Sequence, residues 1–467
     1  MRFRILGHYF QSSVIALASI EAVLFVASLY VAVTLRIPEG ISAFESQMGP
    51  LLLRAVLFAA LTFTSFLALG LYTARQRANV AGVGLRILLG LGASFVAVAV
   101  LFYVLPDLEL GRGIVGIAVG LSLVATFLTR MIFSRVVDTQ AFKRQVLVYG
   151  YGNRVQAFAR LRRRSDRRGY NIVGFVCPPG ESLDVGAEEV LFAPKGLKDL
   201  CDELGVEEVV VALEDRRQNL PVKELLHCRL SGINVVDIVT FMERETGRIL
   251  LDALSPSWMI FSEGFRRDVL RRFTSRALDF GASLVLVTVT APIMAVTALA
   301  IWFDDGRKGG GVLYRQVRVG FEGQPFNVLK FRSMRTDAEV AGKPQWAQAN
   351  DPRVTRIGAF IRKVRIDELP QLLNVLRGDM SFVGPRPERP HFVAQLEEKI
   401  PFYAQRHSVK PGITGWAQLC YPYGASAEDA IQKLQYDLYY VKNNTLLFDL
   451  AILVQTAEVI FMGKGAR

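Results

Sequence analysis

Apolar residues fill four long stretches in the first third of the chain, and each is close to the roughly 20 residues that a helix needs to cross a bilayer. The stretches are Val14 to Leu35, Leu51 to Tyr72, Ile87 to Leu105 and Ile114 to Leu128. The first stretch is too long for a signal peptide and lacks a small-residue cleavage pattern, so we expect an anchor. The pattern predicts a membrane α-helical bundle of four transmembrane helices in residues 1–136.

Basic residues mark one side of this predicted bundle. They cluster at the start of the chain and after the second and fourth stretches, whereas the loops with Glu39 and Glu109 are acidic or poor in Lys and Arg. The positive-inside rule therefore predicts that both ends of the bundle lie in the cytoplasm. Glu21 falls within the first stretch, where an acid marks either an interhelical contact or a transport pathway, and the sequence leaves both interpretations open.

A different pattern follows in residues 137–262. Short apolar runs (VLVYG, NIVGFV, EVVVAL, INVVDIV) alternate with helical patterns around Ala157, Leu200 and Leu226, which is typical of a parallel, doubly wound α/β sheet. The first turn has Gly150 and Gly152, but Val155 stands at the third glycine position of a dinucleotide fingerprint. We therefore expect a Rossmann-like domain that either has a regulatory or packing role or binds a nucleotide or sugar nucleotide. The basic run 160–168 is expected to face solvent or lipid.

A fifth apolar stretch, Phe280 to Phe303, is also long enough to span a membrane. The basic segment 266–276 precedes it, and Pro292 near its middle removes a backbone hydrogen bond. A full crossing would place the polar motifs that follow on the outer side. We therefore predict a broken helix that enters and leaves by the same face, with a straight crossing as the alternative.

The segment 366–376, IDELPQLLNVL, has the strongest chemical signal in the chain. Its Ile and Leu residues recur at helical spacing, and Pro370 fits only the first turn of a helix. Asp367 and Glu368 are then expected at the positive end of a helix dipole, where their pKa stays low and phosphate groups bind. The plain alternative for this acidic pair is helix capping.

Basic side chains surround the pair in sequence. Lys330 and Arg332 lie on a predicted strand, where alternation places both on one face. Arg362 and Arg365 precede the acids, and Arg386 stands between two prolines that fix its backbone. The guanidinium groups of the four arginines suit bidentate binding of phosphate, and we predict that all five basic side chains bind substrate phosphates. Salt bridges or surface positions are the alternative for each.

Composition narrows the possible partners. The 467 residues carry a net charge of +12 and are 51% hydrophobic. This favours an anionic lipid surface and anionic substrates over nucleic acid. The four cysteines show no spacing typical of a zinc site or a disulfide framework.

The last apolar segment, 446–462, is interrupted by polar residues, so we expect an amphipathic helix in the membrane interface. Trp416 suits either that interface or the core.

The motifs YRQVRVG, KFRSM, RIDELPQLLNVLRGDMSFVGPRPE and KPGITGWAQ follow one another between Phe273 and the C-terminus. In this order they resemble the bacterial polyprenyl-phosphate sugar-1-phosphate transferases, which start exopolysaccharide and O-antigen repeat units. The whole chain resembles the long members of that family. The resemblance implies a monotopic catalytic domain in residues 263–467 with a re-entrant membrane helix at 274–303. Family members commonly have Ser before the helix proline, whereas this chain has Ala291.

The resemblance also implies a reaction. A hexose-1-phosphate passes from a UDP-sugar to undecaprenyl phosphate at the cytoplasmic face of the bacterial inner membrane, and UMP leaves. Asp367 would be the nucleophile that forms a covalent phosphosugar intermediate, and Glu368 would support Mg²⁺ binding, so both acids are metal candidates. A homodimer is expected. The sugar cannot be read, because UDP-glucose, UDP-galactose and N-acetylated donors present the same phosphates.

Two other classes of protein make different predictions. A membrane sensor with a nucleotide-binding domain predicts an intact glycine fingerprint and an acid after the second strand, and the sequence has neither. A noncatalytic scaffold for polysaccharide assembly predicts loss of the acidic pair or of the GPRP motif, and both are intact. The sequence therefore favours an enzyme.

Overall fold

The computed structural model of the chain describes most of the sequence. The described residues are 2–5, 8–72, 80–137, 143–150, 152, 154–155, 169–178, 190–191, 196–213, 220–265, 269–304, 311–335, 338, 353–421 and 426–461. The basic run 160–168 lies outside them. Contacts divide the chain into two compact units, Met1–Phe261 and Ser262–Arg467. The predicted division into three domains stays a prediction.

The first unit begins with a short hairpin and a helical bundle. Its elements are β1 (Arg2–Ile5), β2 (His8–Gln11), α1 (Ser12–Arg36), α2 (Gly40–Met48), α3 (Leu51–Ala68), α4 (Val80–Val104) and α5 (Arg112–Val137). Helices α1, α3, α4 and α5 each contain a segment long and apolar enough to cross a membrane. The four apolar stretches read from the sequence are therefore confirmed as helices of spanning length.

Aromatic and aliphatic side chains such as Phe25, Phe58 and Leu91 form the core of the bundle. Glu21 is fully buried within it and pairs with Arg130 of α5, with Nε and Oε1 2.9 Å apart. The Arg130 guanidinium also lies over the Tyr72 ring. Of the two interpretations of Glu21, the structure shows the interhelical contact.

The rest of the first unit is built on a parallel sheet. Its elements are β3 (Arg144–Gly150), β4 (Tyr170–Val176), β5 (Val190–Leu191), α6 (Leu197–Glu203), β6 (Glu208–Ala212), α7 (Val222–Leu230), β7 (Asn234–Asp237), α8 (Ile238–Thr246) and α9 (Pro256–Phe261). All strand pairs are parallel, and the order is β5-β4-β3-β6-β7. The predicted parallel sheet is confirmed. The turn after β3 is described only in part, so both interpretations of that turn stand.

The second unit begins with one very long helix. Its elements are α10 (Val269–Asp304), β8 (Leu313–Val319), β9 (Pro325–Phe331), α11 (Arg356–Lys363), α12 (Gln371–Arg377), β10 (Ser381–Val383), α13 (Pro390–Lys399), β11 (Gly412–Thr414), α14 (Trp416–Cys420), α15 (Ala427–Asn443) and α16 (Leu446–Phe461). Helix α10 is the fifth helix of spanning length and continues through Pro292, so the predicted break is not seen and re-entry stays a prediction. It begins at Val269, earlier than the apolar pattern predicts.

Both halves of α10 pack against the rest of the second unit. In the first half, Arg276 donates to the carbonyls of Val375 and Leu376, each at 2.5 Å. The Asp279 carboxylate accepts from Ser381 Oγ and Phe382 N at 3.1 and 3.2 Å. In the second half, Ile301 is buried in a cluster with Phe331 and Ile361, and Met294 and Ala298 pack against this cluster.

Helix α16 gives its polar residues a role that the sequence does not suggest. Asp449 is buried and pairs with Arg271 of α10, with Nη2 and Oδ2 2.8 Å apart. Thr456 bonds to Thr414 through their hydroxyl oxygens at 2.7 Å. These polar groups bind other parts of the unit. The interfacial position of α16 stays a prediction.

Candidate active site

The acidic pair lies on a separate turn, not in the first turn of a helix. Residues Ile366–Glu368 form a 3-10 turn that Leu369 N closes on Ile366 O at 3.1 Å. Pro370 occupies the N-cap position and α12 begins at Gln371. Because Pro370 has no N–H to donate to Ile366 O, the α-helix does not extend back past it, and the pair lies directly before the N-terminal end of α12, the end at which the sequence places it.

A close backbone contact at Gly358 and a left-handed residue at Arg365 place this turn beside strand β9. Gly358 of α11 lies so near the segment after β9 that a Cβ there would be 2.0 Å from the Ser333 carbonyl oxygen. Only glycine allows this approach. The chain then reverses at Arg365, which has a φ of +61°. A non-glycine residue in this region costs on the order of 1–3 kcal/mol, so the surrounding packing must hold the turn.

Glu368 forms ion pairs with three of the five basic side chains that are predicted to bind phosphate. Its Oε1 lies 3.3 Å from Lys330 Nζ, 3.3 Å from Arg386 Nη2 and 3.9 Å from Arg365 Nη1. Burial alone would raise the pKa of Glu368, but Arg386, Lys330 and Arg365 outweigh it and lower the pKa to about 2. Glu368 is therefore a permanent anion that holds three cations together.

Asp367 has the opposite environment. Its side chain is buried, and its Oδ1 has no hydrogen-bond partner among the described residues. Burial, followed by the charge of Glu368, raises the pKa of Asp367, while Lys330, Arg362 and Arg365 oppose the rise. The predicted low pKa of Asp367 is wrong, because desolvation and the adjacent anion outweigh the nearby cations. An unsolvated carboxylate oxygen in this setting is suited to a reacting atom or a metal ion.

The remaining two predicted phosphate ligands form no salt bridge with the pair in the described part of the chain. Arg362 acts on Asp367 through its charge, as the pKa of that acid shows. Arg332 follows the end of β9, and its Nη1 is buried without a hydrogen-bond partner in the described part of the chain. The structure thus brings Lys330, Arg365 and Arg386 to Glu368, and phosphate binding by any of the five stays a prediction.

Asn374 is a structural residue of the site that sequence reasoning missed. It is fully buried on α12, and its Oδ1 accepts from Leu329 N at 2.9 Å while its Nδ2 donates to Asn327 O at 2.8 Å. The amide side chain therefore bonds to β9 as a neighbouring strand would, one residue before Lys330. A polar residue at a buried helical position is the signal that could have identified it.

Arg386 reaches the site from a loop held by a second short sheet. Strand β10 pairs in parallel with β11, and a Cβ on Gly384 would lie 2.2 Å from the Lys410 carbonyl oxygen. From this loop, Arg386 also donates to Gln418 Oε1 at 3.2 Å. Trp416 is buried against Phe448, with ring centroids 5.3 Å apart, so it belongs to the core.

The acidic pair also fits the expected Mg²⁺. Among the described residues, no three or more His, Cys, Asp or Glu side chains converge in a metal cage. Mg²⁺ bound with substrate phosphates commonly takes only one or two protein carboxylates, so a cage is not required. The partnerless Asp367 Oδ1 is the free oxygen that such an ion could use.

Comparisons with known proteins identify the family to which the segment containing this site is similar. The family model described as "Bacterial sugar transferase" matches residues 270–463, which include both acids and all the basic residues around them. An Aeromonas hydrophila protein named UDP-N-acetylgalactosamine-undecaprenyl-phosphate N-acetylgalactosaminephosphotransferase is 42% identical over 52% of this chain and 56% of its own length. The undecaprenyl-phosphate glucose phosphotransferase of Komagataeibacter xylinus is 33% identical over 70% of this chain and 61% of its own.

The chain thus spans little more than half the length of these relatives. A shorter relative is matched almost whole. The exopolysaccharide production protein PSS of Rhizobium leguminosarum bv. phaseoli is 43% identical over 41% of this chain and 96% of its own length. Near-complete coverage at this identity, together with the family match across the acidic pair, establishes that the chain belongs to the bacterial sugar transferase family.

Proposed function

We propose that this protein transfers a hexose-1-phosphate from a UDP-sugar to undecaprenyl phosphate, releases UMP and thereby initiates exopolysaccharide or O-antigen synthesis. The observation that carries the proposal is the contrast within the acidic pair. Glu368 holds three cations, whereas Asp367 beside it has a buried carboxylate oxygen without a partner among the described residues. Phosphoryl transfer between two anions needs a nucleophile, and it needs clustered positive charge beside that nucleophile to offset the repulsion between the phosphates.

In the first step, an Asp367 carboxylate oxygen attacks the β-phosphorus of the UDP-sugar. A bond forms between this oxygen and phosphorus, and the bond from phosphorus to the oxygen bridging to UMP breaks, so that UMP carries away the electron pair. Lys330, Arg365 and Arg386 lie around Glu368 and stabilise the charge on the phosphates. Asp367 Oδ1 and Glu368 would hold Mg²⁺, which supplies further charge neutralisation when bound.

In the second step, a phosphate oxygen of undecaprenyl phosphate attacks the phosphorus held by Asp367. The aspartyl oxygen leaves as a carboxylate, so the enzyme is restored and a polyprenyl diphosphate sugar is released. Asp367 must be ionised for the first step, and its raised pKa makes the carboxylate a stronger base and nucleophile than an ordinary aspartate.

The proposal includes a topology in the bacterial inner membrane. Helices α1, α3, α4 and α5 cross the bilayer, and α10 enters and leaves by the cytoplasmic face. Two observations support re-entry. Both halves of α10 pack against the same unit, while Val285 and Val289 between them are exposed. A catalytic unit on the cytoplasmic side meets UDP-sugars and the lipid phosphate at the membrane surface.

The test is the identity of the first product. Purified protein is incubated with undecaprenyl phosphate, Mg²⁺ and a panel of UDP-glucose, UDP-galactose and UDP-N-acetylhexosamines. We expect UMP in stoichiometric amount with one donor. UDP as the product would indicate an ordinary glycosyltransferase and contradict the proposal.

Asp367→Asn is the matched variant for the covalent step. It keeps the size and polarity of the side chain but removes the charge and the nucleophile. We expect turnover to fall by several orders of magnitude. A phosphosugar adduct should be detected by mass spectrometry on the wild type when the lipid is withheld, and it should be absent from the variant. An adduct on Asp367→Asn would place the nucleophile elsewhere.

A further inference from the structure

The backbone of the GPRP loop, Gly384–Pro387, is held from outside the loop. Its two prolines have no N–H, and its carbonyls accept hydrogen bonds from other elements. Gly412 N donates to Pro385 O at 3.0 Å, and Arg318 Nη1 donates to Pro387 O at 3.0 Å. Between them, Arg406 Nη2 donates to the carbonyl of Arg386 itself at 3.0 Å. The backbone direction of Arg386 therefore depends on a second arginine.

Arg406 is itself fixed by a buried ion pair. Its Nη2 and Nε donate to Asp437 Oδ2 at 2.8 and 3.1 Å, and its Nη1 donates to Tyr403 Oη at 2.8 Å. The Arg406 and Asp437 side chains are only 6% and 3% exposed. Taking two charges out of water is costly, and apolar replacements of such pairs are often as stable. The pair is therefore better explained by the geometry that it imposes than by stability.

The geometry matters because the contact between Arg386 and Glu368 is long. Arg386 Nη2 lies 3.3 Å from Glu368 Oε1, near the upper limit of a hydrogen bond. A small rotation of the Arg386 peptide would break this contact. Arg406 lies on the 3-10 turn Tyr403–Ser408 and Asp437 lies on α15, and neither bonds to Asp367 or Glu368.

We propose that Arg406, held by Asp437, is a positioning residue that directs Arg386 toward Glu368 through the Arg386 carbonyl. The inference rests on the proposed function for its kinetic test, because Arg386 is there a group that stabilises phosphate charge. Arg406 acts on the reaction only through Arg386.

A double-mutant cycle tests this dependence. The paired variant Arg406→Met with Asp437→Leu removes both buried charges together and leaves the Arg386 carbonyl without its donor. We expect kcat/KM to fall by up to about 100-fold, the scale of an approximately 1 Å misplacement. In an Arg386→Ala background, the same paired variant should change kcat/KM by less than about twofold, since the group that it positions is already gone. Equal losses in both backgrounds would overturn the proposal.

Tyr403→Phe is the matched control. It removes one hydrogen bond of Arg406 but leaves the bonds to Asp437 and to the Arg386 carbonyl. We expect it to keep kcat/KM within about twofold of the wild type. A loss as large as that of the paired variant would show that any disturbance of this buried cluster suffices, and would overturn the positioning role.

A structure of the paired variant separates failure of this inference from failure of the proposed function. Absence of wild-type turnover with every donor would contradict the proposed function alone. Whatever the turnover, the inference requires that Arg386 Nη2 leaves Glu368 Oε1 in the variant, and a retained contact would overturn it. If the paired variant does not fold, Arg406→Lys is measured in the same cycle and against the same outcomes, because its shorter side chain keeps a positive charge beside Asp437 but has no nitrogen at the position of Nη2, the atom that donates to the Arg386 carbonyl.

Discussion

Asp367 and Glu368 are neighbours in the chain, yet their environments drive their pKa values apart. Asp367 is buried next to another anion, so its pKa is raised, whereas three cations lower the pKa of Glu368 to about 2. Acids separated in this way usually carry different roles in a mechanism. We assign bond formation to Asp367 and the organisation of positive charge to Glu368.

The raised pKa of Asp367 predicts an acid limb in the pH profile of kcat/KM. Activity should fall as the pH drops through this pKa, because the protonated acid cannot attack phosphorus. Arg362 lowers the pKa of Asp367, so Arg362→Gln should move the limb to higher pH. Arg356→Gln, an exposed residue on the same helix, is the control and should leave the limb in place. An unmoved limb in Arg362→Gln would contradict the assignment.

The same pKa shifts predict opposite effects of two amide substitutions on stability. The folded pKa of Asp367 lies above its unfolded value, so its charge destabilises the fold once the pH has risen past both values. At pH 7, Asp367→Asn should therefore unfold at the same or a higher temperature than the wild type. The measurement is thermal unfolding in detergent, followed by tryptophan fluorescence.

Glu368→Gln should instead lower the unfolding temperature. The pKa of Glu368 falls from 4.5 to about 2 on folding. A depressed pKa contributes stability that is complete above the unfolded value and is lost as the pH falls toward 2, and a shift of this size corresponds to about 3 kcal/mol. Equal unfolding temperatures of the Asp367 and Glu368 variants at pH 7 would contradict the two environments described for these acids.

At the residue scale, the sequence predicts which side chains meet but not how each is charged. Lys330, Arg365 and Arg386 are recognisable from motif and residue type, and the structure brings them to Glu368. The pKa of Asp367 depends on burial, which no local pattern reports. Asn374, Arg406 and Asp437 act through contacts 45, 20 and 31 residues away in the chain, so their roles need the tertiary structure.

At the scale of elements, apolar length predicts helices well and their ends poorly. The five spanning helices follow from runs of apolar residues. Helix α10 begins at Val269 because Arg271 and Arg276, which interrupt the apolar pattern, are bonded to α16 and α12. The acidic turn lies before α12 and outside it, because Pro370 has no N–H with which to continue the helix back through Ile366.

The proposed path of α10 predicts that both of its ends lie in the cytoplasm. Single cysteines replace Arg272 and Asp304, which are exposed near the two ends, in a chain from which the four native cysteines have been removed. A membrane-impermeant thiol reagent applied from the periplasm should label neither position, and it should label both after the membrane is opened. Labelling of one position alone before opening would establish a full crossing.

At the scale of the whole molecule, every residue assigned to the chemistry lies in the unit Ser262–Arg467. The Rhizobium relative is matched over 96% of its length by less than half of this chain. We therefore predict that a truncated chain of residues 262–467 retains UMP release in nanodiscs. The same truncated chain with Asp367→Asn is the negative control for UMP release. A folded, membrane-bound truncation without turnover would make the first unit part of the catalytic machinery.

Polar contacts join helix α10 to the other elements of the second unit at three points. Arg271 forms a salt bridge with Asp449, Arg276 donates hydrogen bonds to the end of α12, and Asp279 accepts hydrogen bonds from β10. With the helix in the membrane as proposed, these bonds fix the distance between Asp367 and the membrane surface. A polyprenyl phosphate then reaches Asp367 without leaving the bilayer, because its phosphate diffuses laterally at the depth at which the nucleophile is held. The enzyme and its acceptor therefore meet by diffusion in two dimensions, since the isoprenoid tail keeps the acceptor in the membrane.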